Sequence, residues 1–286
     1  YTYSWAPSGG TGATGTGLSG GILYTVTVTD ANGCVATATI TLTDPPLLTA
    51  AITGSNDPAC NGGTDGDATV TAGGGTGIYT YSWAPSGGTG ATGTGLSGGI
   101  LYTVTVTDAN GCITTATITL TDPPLLTASI TISNDPDCNG DSNGDATVAA
   151  GGGTGAFTYS WAPSGGTGAT GTGLSGGILY TVTVTDANGC IAIATITLTD
   201  PPLLTAAISG SNDPDCNGAT NGDATVTAGG GTGAYTYSWA PTGGTGATGT
   251  GLSGGILYTV TVTDANGCII TATITLTDPP LLTASI

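Results

Sequence analysis

The sequence predicts an all-β protein that consists of a tandem array of small β-sandwich repeats. One unit of 78 residues recurs along the 286-residue chain, and Trp5, Trp83, Trp161 and Trp239 mark its period. The chain contains no Lys, Arg, His, Glu, Gln or Met and is rich in Thr and Gly. This composition lacks the straight-chain residues that favour helices and keeps those that favour strands and turns. Short alternating segments separated by turn residues are typical of β-sandwiches.

The repeat boundaries follow from the Asp-Pro-Pro motif that ends each unit. They predict a partial repeat at residues 1–45, three full repeats at 46–123, 124–201 and 202–279, and the first strand of a further repeat at 280–286. Because the chain begins inside a unit and without Met, we expect it to be a window on a longer protein. Near-identical units of this length are typical of extended arrays, so they predict a rod or filament.

In the first full repeat, two strands should precede the strand that contains tryptophan. Apolar residues alternate with Thr at residues 47–53 and again at 68–72. Alternation with a period of two residues indicates a strand with one buried face. The third strand, Tyr79–Trp83, would place three aromatic side chains on one face and provide the largest apolar area of the unit.

The second half of the repeat contains its clearest element, a β-hairpin. Residues 101–107 and 112–121 alternate between Thr and apolar residues, and the turn sequence Asp-Ala-Asn-Gly lies between them. Asp at the first and Gly at the fourth position are typical of a type I turn whose Gly adopts a positive φ. The glycine-rich residues 85–99 allow no assignment, although Leu96 is expected in the core. Six or seven strands and one Trp favour an immunoglobulin-like sandwich over a four-stranded propeller blade.

The charge of the chain limits its partners. All 18 charged side chains are Asp, which gives a net charge of −18. Binding to nucleic acid or to anionic lipid requires Lys or Arg at the contact, so we expect neither. No stretch approaches the roughly 18 to 20 apolar residues of a membrane-spanning helix, and no signal-peptide pattern opens the sequence. An export signal or anchor would lie outside these residues.

The seven cysteines are regularly spaced and predict disulfide bonds formed in an oxidising compartment. Their spacings alternate between 26 and 52 residues, and no CxxC pair or His accompanies them, which argues against a zinc or iron–sulfur site. Bonds within a repeat are preferred, because a small core gains from closing its own loop. The preferred pairs are Cys60–Cys112, Cys138–Cys190 and Cys216–Cys268. The alternative is bonds across the repeat junctions, which would join Cys34 to Cys60 and Cys112 to Cys138.

Asp and Asn residues cluster in the loop that contains the first cysteine of each full repeat. Ca²⁺ takes six to eight oxygen ligands, and three side chains of the loop are the same in all three copies. The candidate calcium ligands are Asp57, Asn61 and Asp67, with their equivalents Asp135, Asn139, Asp145, Asp213, Asn217 and Asp223. Turn formation by Asp and Asn side chains is the favoured interpretation. The sequence indicates no other cofactor.

The residue types that catalysis requires are missing. Without His, Lys or Glu, no such side chain can act as the base for a cysteine thiol, and no pair of Asp residues lies in a setting that would separate two pKa values. The glycine-rich segments lack the Lys-Ser/Thr of a phosphate-binding loop. We therefore expect no enzymatic activity.

With these motifs established, the unit resembles the SprB repeat of cell-surface and gliding adhesins of Bacteroidetes. The resemblance depends on CNGGTDGDATV, GGGTGIYTYSWAP, LSGG before a Tyr-Val-Thr strand, and VTDANGC before a Thr-rich strand that ends in DPP. It implies secretion by the type IX route, a cell-surface location, and a role in adhesion or gliding motility. The copies are more alike than is expected of such an adhesin, which favours a structural filament.

Two functions are consistent with the sequence. In the first, the chain is the structural repeat region of a secreted, disulfide-bonded cell-surface filament, and its partners are further copies in filaments or bundles. In the second, it is the extracellular stalk of an adhesin, and a binding tip outside these residues takes a polysaccharide or another surface.

Overall fold

The computed structural model describes residues 1–285, in which all the regular secondary structure is β-strand. The chain divides into two compact units, Tyr1–Asp122 and the part from Pro123 onward. Among the described residues there is no helix with the length and hydropathy needed to cross a membrane. The predicted fold class, an all-β tandem array of immunoglobulin-like sandwiches, is confirmed.

The first unit contains the partial repeat and the first full repeat. The partial repeat forms one sheet of three strands, β1 (Thr2–Ala6), β2 (Leu23–Thr29) and β3 (Val35–Thr41). The first full repeat forms six strands: β4 (Thr49–Asn56), β5 (Gly66–Gly73), β6 (Thr80–Ala84), β7 (Thr92–Leu96), β8 (Leu101–Thr107) and β9 (Ile113–Thr119).

The second unit repeats the same six strands twice. In the second full repeat they are β10 (Thr127–Asn134), β11 (Gly144–Gly151), β12 (Thr158–Ala162), β13 (Thr170–Leu174), β14 (Leu179–Thr185) and β15 (Ile191–Thr197). In the third they are β16 (Thr205–Asn212), β17 (Gly222–Gly229), β18 (Thr236–Ala240), β19 (Thr248–Leu252), β20 (Leu257–Thr263) and β21 (Ile269–Thr275).

Each full repeat is a sandwich of two antiparallel three-stranded sheets. In the first full repeat the strand orders are β4-β5-β7 and β6-β8-β9, and the other two full repeats have the same topology. Ala68 and Val70 from one sheet pack against Trp83, Val104 and Val106 from the other. None of these five side chains is more than 5% exposed. Burial of each large apolar side chain stabilises the fold by about 1.5–3 kcal/mol.

The predicted hairpin is confirmed. Strands β8 and β9 pair across the Asp-Ala-Asn-Gly turn, from Thr107 opposite Ile113 to Leu101 opposite Thr119. Gly111 has a φ of 83°, the positive value expected at the end of this turn. The alternation along β8 therefore places Thr outward and Tyr or Val inward, as the pattern predicted.

Strand β7 lies in the glycine-rich segment that the sequence left unassigned. Leu96 at its end is fully buried, as predicted. A Cβ on Gly93 would lie 2.7 Å from Trp83 Cδ2, so glycine at this position allows the two sheets to approach each other. Pairing with β5 provides the hydrogen-bond partners that offset the low strand propensity of glycine.

The strand predicted at residues 280–286 does not form in the described part of the chain. Residues 280–285 are not in a strand, and Ile286 lies outside the described residues. The equivalent strand β16 pairs with β17, and this sequence holds no counterpart of β17 after residue 280. A strand needs such a partner for its backbone groups.

Candidate functional site at the disulfide joint

A disulfide bond in the second unit joins two consecutive repeats. Cys138, in the loop between β10 and β11, is bonded to Cys268, in the turn between β20 and β21. Their Cα atoms lie 5.7 Å apart, and 130 residues separate them along the chain. We call this bond, together with residues 135–143 and 264–268, the disulfide joint.

The within-repeat pairing predicted from the sequence is wrong. Cys138 is bonded to a cysteine of the following repeat, and Cys34, Cys112 and Cys216 are exposed free thiols. None of the three preferred pairs forms, because Cys112 and Cys216 are free thiols and Cys138 is bonded to Cys268. The two junction pairs of the alternative are excluded in the same way.

The direction of the last strand explains why the two cysteines of one repeat do not meet. In the second full repeat, Asp135 Oδ1 accepts a hydrogen bond from Thr199 N at 2.9 Å, which holds the Cys138 loop beyond the C-terminal end of β15. Cys190 directly precedes the N-terminal end of that seven-residue strand. Such a strand is about 24 Å long, whereas a disulfide requires Cα atoms about 4.4–6.8 Å apart.

Asp and Asn side chains fix the Cys138 loop to its own repeat. Asp137 N donates a hydrogen bond to Asn143 Oδ1 at 3.0 Å, and Asn143 Nδ2 donates to Asp137 Oδ2 at 2.6 Å. Asn139 Nδ2 donates to the carbonyl oxygen of Pro201 at 2.8 Å. The first two bonds close the loop on itself, and the third connects it to the segment that follows β15. Cys138 is therefore presented towards the next repeat, to which it is bonded.

The Cys268 turn is held by the buried carboxylate of Asp264. Its Oδ1 accepts hydrogen bonds from Asn266 N at 3.0 Å and from Cys268 N at 2.9 Å, and its Oδ2 accepts one from Thr232 N at 2.8 Å. Burial raises the pKa of the Asp264 carboxyl, but the hydrogen bonds from these three backbone groups lower it more, so the pKa lies below its ordinary value of 3.8. The charged carboxylate therefore attaches the turn to the loop between β17 and β18.

One side chain crosses the joint beside the disulfide bond. Asn266 Nδ2 donates a hydrogen bond to the carbonyl oxygen of Asp137 at 3.0 Å, and Cys268 Sγ lies 3.4 Å from the same oxygen. Because the acceptor is a main-chain atom, the crossing hydrogen bond itself requires no particular side chain at residue 137. The equivalent residues are Ala59 and Asp215 in the other full repeats.

The equivalent turn of the first unit has no disulfide bond. Cys112 is an exposed free thiol, and Asn110 Nδ2 donates a hydrogen bond to Thr76 Oγ1 at 3.1 Å. In the bonded turn, the equivalent amide of Asn266 donates to the neighbouring repeat. Leu47, beside the free turn, is 84% exposed, whereas its equivalent Leu203 is 63% exposed. The joint therefore covers apolar surface and gives the Asn side chain a different partner.

The charges around the joint repel each other. Asp135, Asp137 and Asp200 line a cleft on one side of the bond, and Asp141 lines a second cleft with Asn139. The chain has no Lys, Arg or His, so no basic side chain can neutralise these carboxylates. Because side-chain ion pairs cannot form within the chain, the covalent bond offsets the repulsion between the two repeats at the joint.

The candidate calcium ligands take part in hydrogen bonds that brace each full repeat. Asp135 accepts from Thr199 N, Asn139 donates to Pro201 O, and Asp145 accepts from Asn134 Nδ2 at 3.0 and 3.1 Å. In the third full repeat the same contacts are made by Asp213, Asn217 and Asp223. In the first full repeat Asp57 and Asp67 make the equivalent contacts, and Asn61 lies in the equivalent loop. Among the residues that the structure describes, no cluster of three or more Asp and Cys side chains is arranged to hold a metal ion. The calcium set stays a prediction.

The fold and the joint define a tandem β-sandwich repeat protein in which a disulfide bond connects two consecutive repeats. The SprB repeat family model matches residues 53–88, 130–166 and 209–245, one segment in each full repeat. The chain therefore contains SprB repeats, as its motifs predicted. No curated protein sequence matches it.

Three solved structures that match this chain share little sequence with it. The crystal structure of the N-terminal eight Ig domains of Down Syndrome Cell Adhesion Molecule is 12% identical over 89% of this chain and 40% of that one, with a TM-score of 0.35. The chicken CNTN1 FN1–FN3 domains are 12% identical over 82% and 99%, with a TM-score of 0.22. A C-terminal fragment of intimin, in complex with the intimin-binding domain of its translocated receptor, is 15% identical over 64% and 59%, with a TM-score of 0.23.

Proposed function

We propose that the chain is the structural, non-enzymatic repeat region of a secreted cell-surface filament. The observation that carries the proposal is the disulfide bond between consecutive repeats. Each full repeat has a hydrophobic core of its own, so neither core requires this bond for completion. Its effect is to fix one repeat to the next, which is useful in a chain that serves to span a distance.

The family match supports the proposed location. SprB repeats in all three full repeats and a disulfide bond, which persists in oxidising compartments, support an extracellular, cell-surface protein. Secretion by the type IX route and a part in gliding motility follow from the family resemblance and belong to the same proposal. The close similarity of the copies supports a uniform filament.

Self-association is proposed through the outer sheet faces. The outward residues of β12, β14 and β15 are Thr, Ser, Ala, Leu and Ile, and Ile191 and Ile193 are 61% and 60% exposed. In this repeat only Asp145 among the Asp residues lies in a strand, on the other sheet. Two chains of net charge −18 repel each other least where such uncharged faces meet.

The alternative proposal is the stalk of an adhesin that presents a binding tip outside these residues to a polysaccharide or another surface. A stalk also requires repeats fixed to one another, so the disulfide joint supports both proposals. The uniform copies favour the filament, since a displayed set of binding surfaces would be expected to differ between repeats.

The test is cryo-electron microscopy of the parent assembly, isolated without reductant, at a resolution that shows cysteine density. We expect continuous ordered filaments in which chains contact each other laterally. A parallel sample treated with dithiothreitol serves as the control for the contribution of the disulfides. Isolated flexible chains that end in a distinct domain would contradict the filament and support the adhesin stalk.

A further inference from the structure

We infer that the disulfide joint has a mechanical function: it provides a covalent path for tension that bypasses most of two folded repeats. The inference rests on the proposed function for its setting, because both a filament and a stalk are loaded along their length. The path itself follows from the connectivity of the second unit, and it can be tested on the isolated chain.

The path uses only two of the twelve strands in the second and third full repeats. Tension that enters at Pro124 passes along β10 to Cys138 and crosses the disulfide bond to Cys268, 130 residues further on. It leaves the third full repeat along β21. Residues 139–267, which contain strands β11 to β20, lie outside the path. They cannot be drawn out while the bond is intact.

Both ends of the bond are attached to folded structure. Beside Cys138, Asp135 accepts a hydrogen bond from Thr199 N. Thr199 directly follows Leu198, which forms a β-bridge with Gly176 after strand β15. Beside Cys268, the Asp264 carboxylate accepts from the backbone N–H groups of both Cys268 and Thr232. The loop and the turn are therefore braced against the sandwiches on either side, and tension on the bond reaches the two repeats at fixed points.

The two loaded strands are also secured by partners outside the path. Strand β10 pairs with β11 along its length, and β21 pairs with β20 over seven residues. Tension can at most peel these two strands from their partners. The rest of each core, including Trp161 and Trp239, is not part of the loaded chain.

Non-covalent contacts could not provide such a path in this chain. Without Lys, Arg or His, no side-chain salt bridge can form. The hydrogen bond from Asn266 to Asp137 O is far weaker than a covalent bond. The disulfide bond does not depend on charge or salt and is opened by reduction, so the extension limit should depend on the redox state of Cys138 and Cys268.

Single-molecule force spectroscopy on the full chain tests this inference. Pro124 and Pro280, which are exposed, are each replaced by a residue with an azide side chain, and pulling handles are attached there. Without reductant, we expect only about 30 residues to be drawn out, roughly 100 Å at about 3.5 Å per residue. With dithiothreitol, the 130-residue segment should add about 450 Å at the same length per residue.

Two cysteine variants separate the bond from other effects of reduction. Cys138→Ser should show the additional 450 Å or so without any reductant, at about 3.5 Å per residue. Cys216→Ser removes an exposed free thiol from the equivalent loop of the next repeat and should extend like the unmodified chain. If Cys138→Ser does not fold, as judged by its circular dichroism, the comparison with and without dithiothreitol decides alone.

The inference is overturned if the unreduced chain extends by the full length at the forces that unfold the repeats, or if mass spectrometry of the unreduced chain finds Cys138 and Cys268 unlinked to each other. This outcome differs from a failure of the proposed function. Absence of filaments in electron microscopy, together with a limited extension in the pulling experiment, would reject the filament and leave the load path in place.

Discussion

The partial repeat and the second full repeat contain the same motif in different surroundings. Trp161 is 6% exposed and Val182 is fully buried, whereas the equivalent Trp5 and Val26 are partly exposed. Strand β15 alternates between exposed and partly buried residues, but β3 is exposed along its whole length. The three-stranded sheet forms in both copies, so its own sequence is sufficient for it. Burial of its inner face requires the second sheet.

The segment Thr-Gly-Thr-Gly-Leu differs in secondary structure between the same two copies. It is strand β13 at residues 170–174, where it pairs with β11. The identical residues 14–18 are not in a strand, because this sequence contains no counterpart of β11 before them. This segment therefore forms a strand only where a distant partner strand is present.

The largest difference is expected for the tryptophans. Trp161→Ala should destabilise the second full repeat by about 3–5 kcal/mol, because it removes a buried aromatic ring and leaves a cavity. Trp5→Ala should have a smaller effect, since Trp5 is already partly exposed. Hydrogen exchange measured on peptides spanning β3 and β15 distinguishes the two copies, because these strands differ in sequence. Equal losses of protection would contradict the comparison.

A smaller effect is expected from filling the space between the sheets. A Cβ on Gly171 would lie 2.7 Å from Trp161 Cδ2, so Gly171→Ala should cost about 1–3 kcal/mol through overpacking. Gly168→Ala is the matched control, because its Cβ would lie 3.5 Å from the nearest atom. Gly15→Ala, next to the partly exposed Trp5, should be tolerated better than Gly171→Ala. Urea denaturation followed by circular dichroism ranks the three variants by their free energy of unfolding. If Gly171→Ala leaves that free energy unchanged, the prediction is wrong.

The buried turn carboxylate should make the stability of a full repeat depend on pH. Burial raises the pKa of the Asp186 carboxyl. Hydrogen bonds from the backbone N–H groups of Thr154, Cys190 and Asn188 lower it by more, so the pKa lies below its ordinary value of 3.8. A lowered pKa means that the charged form stabilises the fold above pH 3.8 and that this contribution is lost as the pH falls through the lowered value. Asp186→Asn should therefore lower the urea midpoint at pH 7, and the deficit should shrink towards pH 2.

Asp30 provides the control for that experiment. Its carboxylate accepts hydrogen bonds from Asn32 N and Cys34 N at 2.9 and 2.8 Å, but this copy lacks a counterpart of the Thr154 loop. Asp30→Asn should thus have a smaller effect at pH 7. A deficit for Asp186→Asn that stayed constant from pH 7 to pH 2 would show that the charge is not responsible.

The smallest effect is one in which the two copies should agree. Tyr180 OH accepts a hydrogen bond from Ser175 N, and Tyr24 OH accepts one from Ser19 N, both at 2.9 Å. Both tyrosines are 1% exposed, so this contact is complete without the second sheet. Tyr180→Phe and Tyr24→Phe should each cost about 1 kcal/mol. A clear difference between them in the same exchange experiment would show that even this contact depends on the second sheet.

Much of the fold could be predicted from local sequence. Alternation with a period of two predicted strands that the structure has at β4, β5, β6, β8 and β9, although the ends differ by a few residues. The turn chemistry predicted the positive φ of Gly111. These features depend on neighbours a few residues apart, which is the range over which a sequence pattern carries information.

The candidate site was not predictable in the same way. The spacing of the cysteines correctly indicated disulfide chemistry, but the pairing inferred from loop length was wrong. The entropy of loop closure depends only on the number of residues between two cysteines, and the 52-residue and 26-residue loops differ too little to decide. Loop-closure entropy also contains no information on the end of the sandwich at which each cysteine lies.

The sequence by itself determined the all-β repeat architecture, the strands with regular alternation, the hairpin turn and the residues of the core. Only the tertiary structure decided that the Gly-rich residues 92–96 form a strand and that Cys138 bonds to Cys268. Both outcomes depend on groups far apart in the chain. Strand β7 needs the backbone of β5. Cys138 lies a full strand length from Cys190 and at the end of its sandwich that meets the Cys268 turn of the next repeat.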